Sequence, residues 1–161
     1  MLMRPEKHDY YLNIAKEVAR RGTCLRRRYG AVLVKDDQII STGYVGSPRG
    51  AKNCTDIGTC HRKERDMPKG FGYELCRSVH AEMNALINAA RSGVVVLGGR
   101  LYLYGEDLED NNKIVEAGVC ILCKRALINA GIIEVIVKLP EGFRIEKVSD
   151  WLNDVDAEIK S

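Results

Sequence analysis

No stretch of the sequence approaches the roughly 18 consecutive apolar residues that a bilayer crossing needs, and the opening MLMRPEKHDYY lacks the apolar run of a secretory signal. A cytoplasmic protein with no membrane partner is the expectation. Charge is also scant: 25 Lys+Arg against 22 Asp+Glu give +3, too little to point to duplex nucleic acid. Internal repeats, low-complexity tracts and interdomain linkers are all missing. The 161 residues are therefore read as one domain, 1–161, long enough to bury a core without covalent staples. Disulfides are not required for folding, and in a reducing compartment the six cysteines point to metal binding or catalysis.

The modest net charge is unevenly spread. Residues 20–77 carry 13 basic against 6 acidic side chains, and the remainder 12 against 16. A positive lobe beside a site suits a ligand bearing one or a few phosphates, and equally a solvated surface. Arg26, Arg27, Arg28, Arg49 and Lys52 are the candidate phosphate contacts.

Tyr11, Ile14, Ala15, Val18 and Ala19 recur at helical spacing after Asp9, with Gly22 as a stop. AVLV (31–34) and QIISTGY (38–44), split by Asp36 and Asp37, predict an antiparallel hairpin. Segment 45–77 breaks the periodicity, and an irregular stretch that long inside a domain is usually functional or internally braced. Met83, Leu86, Ile87 and Ala90 predict a second helix ending near Gly93, and RLYLY (100–104) a strand. Segment 105–118, with five acids and one lysine, reads as an exposed loop. A helix from about Cys120 to Gly131, a strand in IIEVIVKL and a short helix around Trp151, Leu152, Val155 and Ile159 complete the chain. This order predicts an α/β fold: a three-layer α/β/α sandwich on a mixed sheet with an N-terminal antiparallel hairpin.

Chemistry concentrates at two predicted helix starts, VHAEMNAL with His80 and Glu82, and VCILCKRAL with Cys120 and Cys123. Helix N-termini favour thiolates, the form that binds zinc. One imidazole and two thiolates leave a fourth tetrahedral position for water, as in catalytic zinc sites. Glu82, two residues beyond His80, is the candidate proton carrier. CILC alone fits a redox pair or half a zinc knuckle as well. Joined to H-x-E, it forms the pattern of the zinc deaminases of nucleobases.

With HAEMNAL and CILCKRALINAG stands CLRRRYGAVLVKDDQIISTGYVGSPRGAKNC. On these motifs, over about residues 10–137, the chain resembles the deoxycytidylate deaminase branch of the cytidine deaminase superfamily. The resemblance implies a cytidine deaminase-like fold, a catalytic zinc, hydrolysis of dCMP to dUMP and ammonia with Glu82 as acid and base, a homo-oligomer, and dCTP and dTTP as effectors. It also places Gly46, Ser47 and Arg49 beside the nucleotide and turns the Ala81 backbone toward the pyrimidine. Deamination of another base, such as guanine, cytidine or a transfer-RNA adenosine, and a non-catalytic regulatory protein of the same fold are the alternatives. Two departures stand out. Val119 precedes Cys120 where the family has proline, and Val45 in GYVG replaces an asparagine that contacts substrate.

Cys24, Cys54, Cys60 and Cys76 remain, enough for a closed structural zinc site, with His61 as a substitute for its neighbour Cys60. Relatives with a second zinc hold it with cysteines matching Cys24 and Cys54. Scattered free thiols are the other reading.

Overall fold

The computed structural model describes residues 3–116 and 118–160, with side chains through residue 155. A mixed sheet carries helices on both faces, as the element order predicts.

The first helix, α1 (Lys7–Ala19), starts earlier than its apolar spacing suggests. The Glu6 carboxylate accepts from the His8 and Asp9 amides and caps it. Strands β1 (Arg27–Lys35) and β2 (Gln38–Tyr44) form the expected antiparallel hairpin. Asp36 and Asp37 make its two-residue turn at φ 50° and 58°, a left-handed conformation that aspartate tolerates better than most residues.

Segment 45–77 contains two single-turn helices, α2 (Cys54–Ile57) and α3 (His61–Glu64), and a 3₁₀ turn at Tyr73–Leu75. Then come α4 (Ala81–Arg91), β3 (Arg100–Asp107), β4 (Lys113–Ile114), α5 (Ile121–Asn129), β5 (Glu134–Lys138), β6 (Phe143–Lys147) and α6 (Trp151–Lys160). The sheet order is β2-β1-β3-β5-β6, with β4 paired to β3. Only β3 and β5 run parallel among these pairs, with α5 as their crossover.

Alternation along the strands divides the core. Val32, Val34, Tyr102, Tyr104 and Ile136 face α1, while Ala31, Leu33, Leu101, Leu103, Val135 and Val137 face α4 and α5. The sheet is buried on both sides, as a three-layer sandwich requires.

Two close approaches set the layer spacing. A Cβ on Gly30 would run into the Ala15 carbonyl of α1, and one on Gly43 into the Ala81 carbonyl and Ala85 amide of α4. The face of α4 against the sheet is accordingly Ala81, Ala85 and Ala89, leaving Ile87 40% exposed. Large apolar residues at helical spacing thus mark the wrong stripe of this helix. The small stripe wins because it lets the backbone pack directly on β2.

The segment predicted as an acidic loop is partly strand. β3 continues through Asp107 and β4 pairs back onto it. The acids there are neutralised across the sheet, Arg28 against Glu106 at 3.4 Å and Arg27 against Asp107 at 3.3 Å. Strand β6 was not foreseen, because FRIEK covers β5 as a half-exposed edge with little apolar signal.

Candidate active site

Helices α4 and α5 lie on one face of the sheet. The parallel crossover sets the N-terminus of α5 at the carboxyl end of β3. Helix α4 descends toward the start of β3, so its N-terminus lies at that same end. His80 is the N-cap residue of α4 and Cys120 that of α5, both with extended backbone. Two helix N-termini therefore converge, and their dipoles favour negative charge between them.

There the donors meet. His80 Nδ1 lies 3.4 Å from Cys120 Sγ and 3.5 Å from Cys123 Sγ, and all three atoms fall within 4.8 Å of one another. Tetrahedral zinc with bonds of about 2.0 Å to nitrogen and 2.3 Å to sulfur separates such donors by about 3.5 Å, so the donor set and spacing fit that ion. Cys120 is held down to about 4, first by the hydrogen bond from Cys123 and then by His80, whereas the hydrogen bond to Cys120, burial and the charge of Glu82 push Cys123 up. The hydrogen bond to Cys120 raises the His80 imidazole above its ordinary value, against the effect of burial. The sulfurs thus share one negative charge until a cation holds both as thiolates.

Glu82 is 5% exposed, and burial raises its carboxyl above the usual carboxylate range despite the nearby His80. It lines a cavity of about 180 Å³ together with His80, Cys120, Ala81 and Val45. The Ala81 assignment thus lies at the metal cluster. Val45 is buried and supplies an apolar wall.

Gly46, Ser47 and Arg49 instead line a neighbouring cavity of about 520 Å³, whose wall also holds Arg21 and Arg91. Paired hydrogen bonds between Gly46 and Val79 separate the two cavities. Arg49 donates to Asn88 Oδ1 at 2.8 Å. Of the remaining basic candidates, Arg26 and Arg27 line the metal-cluster cavity, whereas Arg28 and Lys52 line neither cavity. Arg26 is paired with Glu109 at 3.6 Å.

Sequence reasoning missed Tyr29, Arg62, Lys69, Tyr73 and Ser78 in the wall of the smaller cavity. The Tyr73 and His80 rings are perpendicular, with centroids 5.1 Å apart. Four of these residues belong to the irregular segment 45–77 or adjoin it, where no periodicity indicates which side chains turn inward. Cys24, Cys60 and Cys76 line the same cavity, and Cys54 is buried behind it. Burial pushes the Cys54 thiol up, and the charges of Cys24, Cys76 and Cys60 add to that. Among the described residues, only His80, Cys120 and Cys123 form a group with mutual metal-binding spacing. His61 faces Glu64 at 3.8 Å.

The family described as "Cytidine and deoxycytidylate deaminase zinc-binding region" matches residues 5–139. The chain belongs to this family. His80, Cys120 and Cys123 are the residues that hold its zinc. Deoxycytidylate deaminase of Schizosaccharomyces pombe is 35% identical over 133 residues, covering 83% of this chain but 37% of that protein. The chain thus spans well under half the length of that relative. Deoxycytidylate deaminase of Mycobacterium phage D29 is 38% identical over 110 residues, 65% of this chain and 82% of the phage protein. Among solved structures, dCMP deaminase from cyanophage S-TIM5 in apo form superposes with a TM-score of 0.59 at 25% identity, covering 84% and 85% of the two chains. Among the described residues, no helix is long and apolar enough to cross a membrane.

Proposed function

We propose that the protein hydrolyses the exocyclic amine of dCMP, giving dUMP and ammonia. The observation that carries this reading is the cluster of His80, Cys120 and Cys123 at a cavity that His80 and Cys120 line together with the buried carboxyl of Glu82. Relatives named deoxycytidylate deaminase support the choice of nucleotide.

Bound zinc supplies an activated water as nucleophile near neutral pH. The protein's own contribution centres on Glu82. It accepts one proton from the attacking water and delivers it to N3 of the ring, then takes the remaining proton from the new C4 hydroxyl and passes it to the amine, which leaves as ammonia while the C4 carbonyl forms. Burial keeps bulk water away from this carboxyl and raises its proton affinity, which suits a group that must both take and return a proton. Ala81 and Val45 form the apolar floor under the pyrimidine, and the Tyr73 ring stands perpendicular to that of His80.

The finer partner reading has its own support. The larger cavity holds Arg21, Arg49 and Arg91 with no acidic side chain in its lining, a composition suited to the polyphosphate of dCTP or dTTP. Six cysteines with no disulfide between them fit a reducing cytoplasm. A second zinc on Cys24, Cys54, Cys60 and Cys76 is supported by Cys24, Cys60 and Cys76 lining one cavity and by the influence of all three on the buried Cys54 thiol. Assembly as a homo-oligomer completes the reading, and sedimentation at micromolar concentration tests it.

The decisive assay measures ammonia released from dCMP, deoxycytidine, CMP, guanine and adenosine by the zinc-loaded protein. Release from dCMP ahead of the others is expected. Glu82→Gln should keep its zinc and lose about 10²–10⁴ in turnover. Release from none of the cytosine compounds would overturn the reading, as would near-normal turnover in Glu82→Gln.

A further inference from the structure

Arg62 is a buried cation without a counter-ion among the described residues. Its side chain lies in the wall of the metal-cluster cavity, and the residue is 7% exposed. Its Nη2 donates to the carbonyls of Pro68 at 2.9 Å and Phe71 at 2.6 Å, and its guanidinium carbon lies 4.8 Å from the Tyr73 ring centroid. These contacts satisfy dipoles, not charge. Among the described residues no carboxylate pairs with it, and its buried Nε–H has no acceptor. Leaving a desolvated charge and a donor unmatched is costly, so such a group persists where a ligand completes it.

The cavity indicates which ligand. Its one acidic lining residue is Glu82, which sits at the metal end, while Lys69 adds a second cation to the wall beside Arg62. Arg27 pairs with Asp107 at 3.3 Å and Arg26 with Glu109 at 3.6 Å, a carboxylate that Lys63 shares, so these cations face a carboxylate as Arg62 does not, although the Arg26 Nε–H also lacks a hydrogen-bond acceptor. The Tyr73 ring carries Arg62 over its face and meets the His80 ring at a right angle. One aromatic ring therefore separates the guanidinium from the metal cluster along a shared wall. A pyrimidine placed at the metal would extend its sugar and 5′-phosphate along that wall.

We propose that Arg62 reads the 5′-phosphate, its Nε–H donating to a phosphate oxygen, and that this contact makes the pocket select a nucleoside monophosphate over the nucleoside. The inference rests on the cytosine deaminase reading and deepens it. Arg62 has a structural duty too, since it fastens the 68–71 turn, so loss of activity alone would not distinguish the roles.

Selectivity does. In Arg62→Gln the ratio of kcat/KM for dCMP to that for deoxycytidine should fall about a hundredfold, because a charge-assisted contact is lost from one substrate only. Arg62→Lys keeps the charge and should recover part of the ratio. Equal losses on both substrates, or an unchanged ratio, would overturn the proposal while leaving the deaminase reading in place. A second measurement needs no variant. In the intact zinc protein the Arg62 Nε–H resonance should move when dUMP is added and stay when deoxyuridine is added. No movement with dUMP would equally refute it. Failure of the wild type to deaminate any cytosine compound would refute the parent reading instead, and the resonance would still report whether Arg62 meets a phosphate.

Discussion

Six cysteines fall into two regions that the fold treats differently. Cys120 and Cys123 sit at the start of a nine-residue helix packed on a sheet, whereas Cys24, Cys54, Cys60 and Cys76 lie on short turns and single-turn helices around segment 45–77. In the first region the helix fixes the direction of side chains three apart, and the parallel crossover fixes where that helix begins. The sulfurs arrive beside His80 already spaced for an ion. In the second, three sulfurs line one cavity wall, the fourth, Cys54, is buried, and the four do not reach that spacing. A rigid scaffold pre-organises donors, while loops bring them near and leave the ion to draw them together.

The largest effect should come from breaking the organised set. Cys120→Ser or His80→Ala should abolish turnover and release the zinc of this cluster, measured as metal per chain after gel filtration. The fold should survive, because both sheet faces have their own apolar core. A variant with full zinc and activity would remove the basis of the comparison.

Next comes the second set. With four thiolates closed on an ion, the intact protein should contain two zincs per chain, and Cys54→Ala should contain one, still held by the His80 cluster. One zinc per chain in the intact protein would reject the second site.

Scaffold substitutions rank lower in chemistry, though they are large in stability. Leu127 is fully buried between α5 and the sheet, and Leu127→Ala should destabilise the protein by about 2–5 kcal/mol in urea unfolding. Gly43→Val forces α4 away from β2 and should cost about 1–3 kcal/mol or more. Because α4 carries His80 and Glu82, Gly43→Val should also weaken zinc retention, whereas Leu127→Ala should do so less. Equal effects on zinc would show that the α4 approach does not set the site.

The same contrast explains what could be read beforehand. His80, Glu82, Cys120 and Cys123 were legible because each motif opens a helix, and α/β alternation places those openings together. The β1–β2 hairpin was legible from its turn aspartates. Arg62 and Tyr73 were not, because inward orientation in an irregular segment follows from tertiary contacts such as the Pro68 and Phe71 carbonyls. The SPRG motif pointed to the nucleotide, and the fold sets Gly46, Ser47 and Arg49 in the cavity beside the metal cluster, on the far side of the Gly46–Val79 hydrogen bonds. The acids of 105–118 looked solvent-bound because their partners, Arg26, Arg27 and Arg28, are about 80 residues away in sequence and adjacent only through the β1–β3 register.

The smallest expected effect lies farthest from either cysteine set. Asp37 at the hairpin turn accepts from Lys7 Nζ at 2.7 Å and from the Tyr11 hydroxyl at 2.8 Å, and the Lys7 and Tyr11 hydrogen bonds hold its carboxyl below the ordinary value. A carboxyl lowered on folding adds stability above its unfolded pKa, and that contribution fades as pH falls through the folded value. The group is fully exposed, so solvent screens the interaction. Asp37→Asn keeps a residue that tolerates the φ of 58° but loses the charge. Its melting temperature should sit slightly below the parent at pH 7, and the gap should close as pH drops below the carboxylate range and narrow with added salt. A gap that widened toward acid would mean the carboxylate opposes folding, and the hairpin would then owe its turn to backbone preference alone.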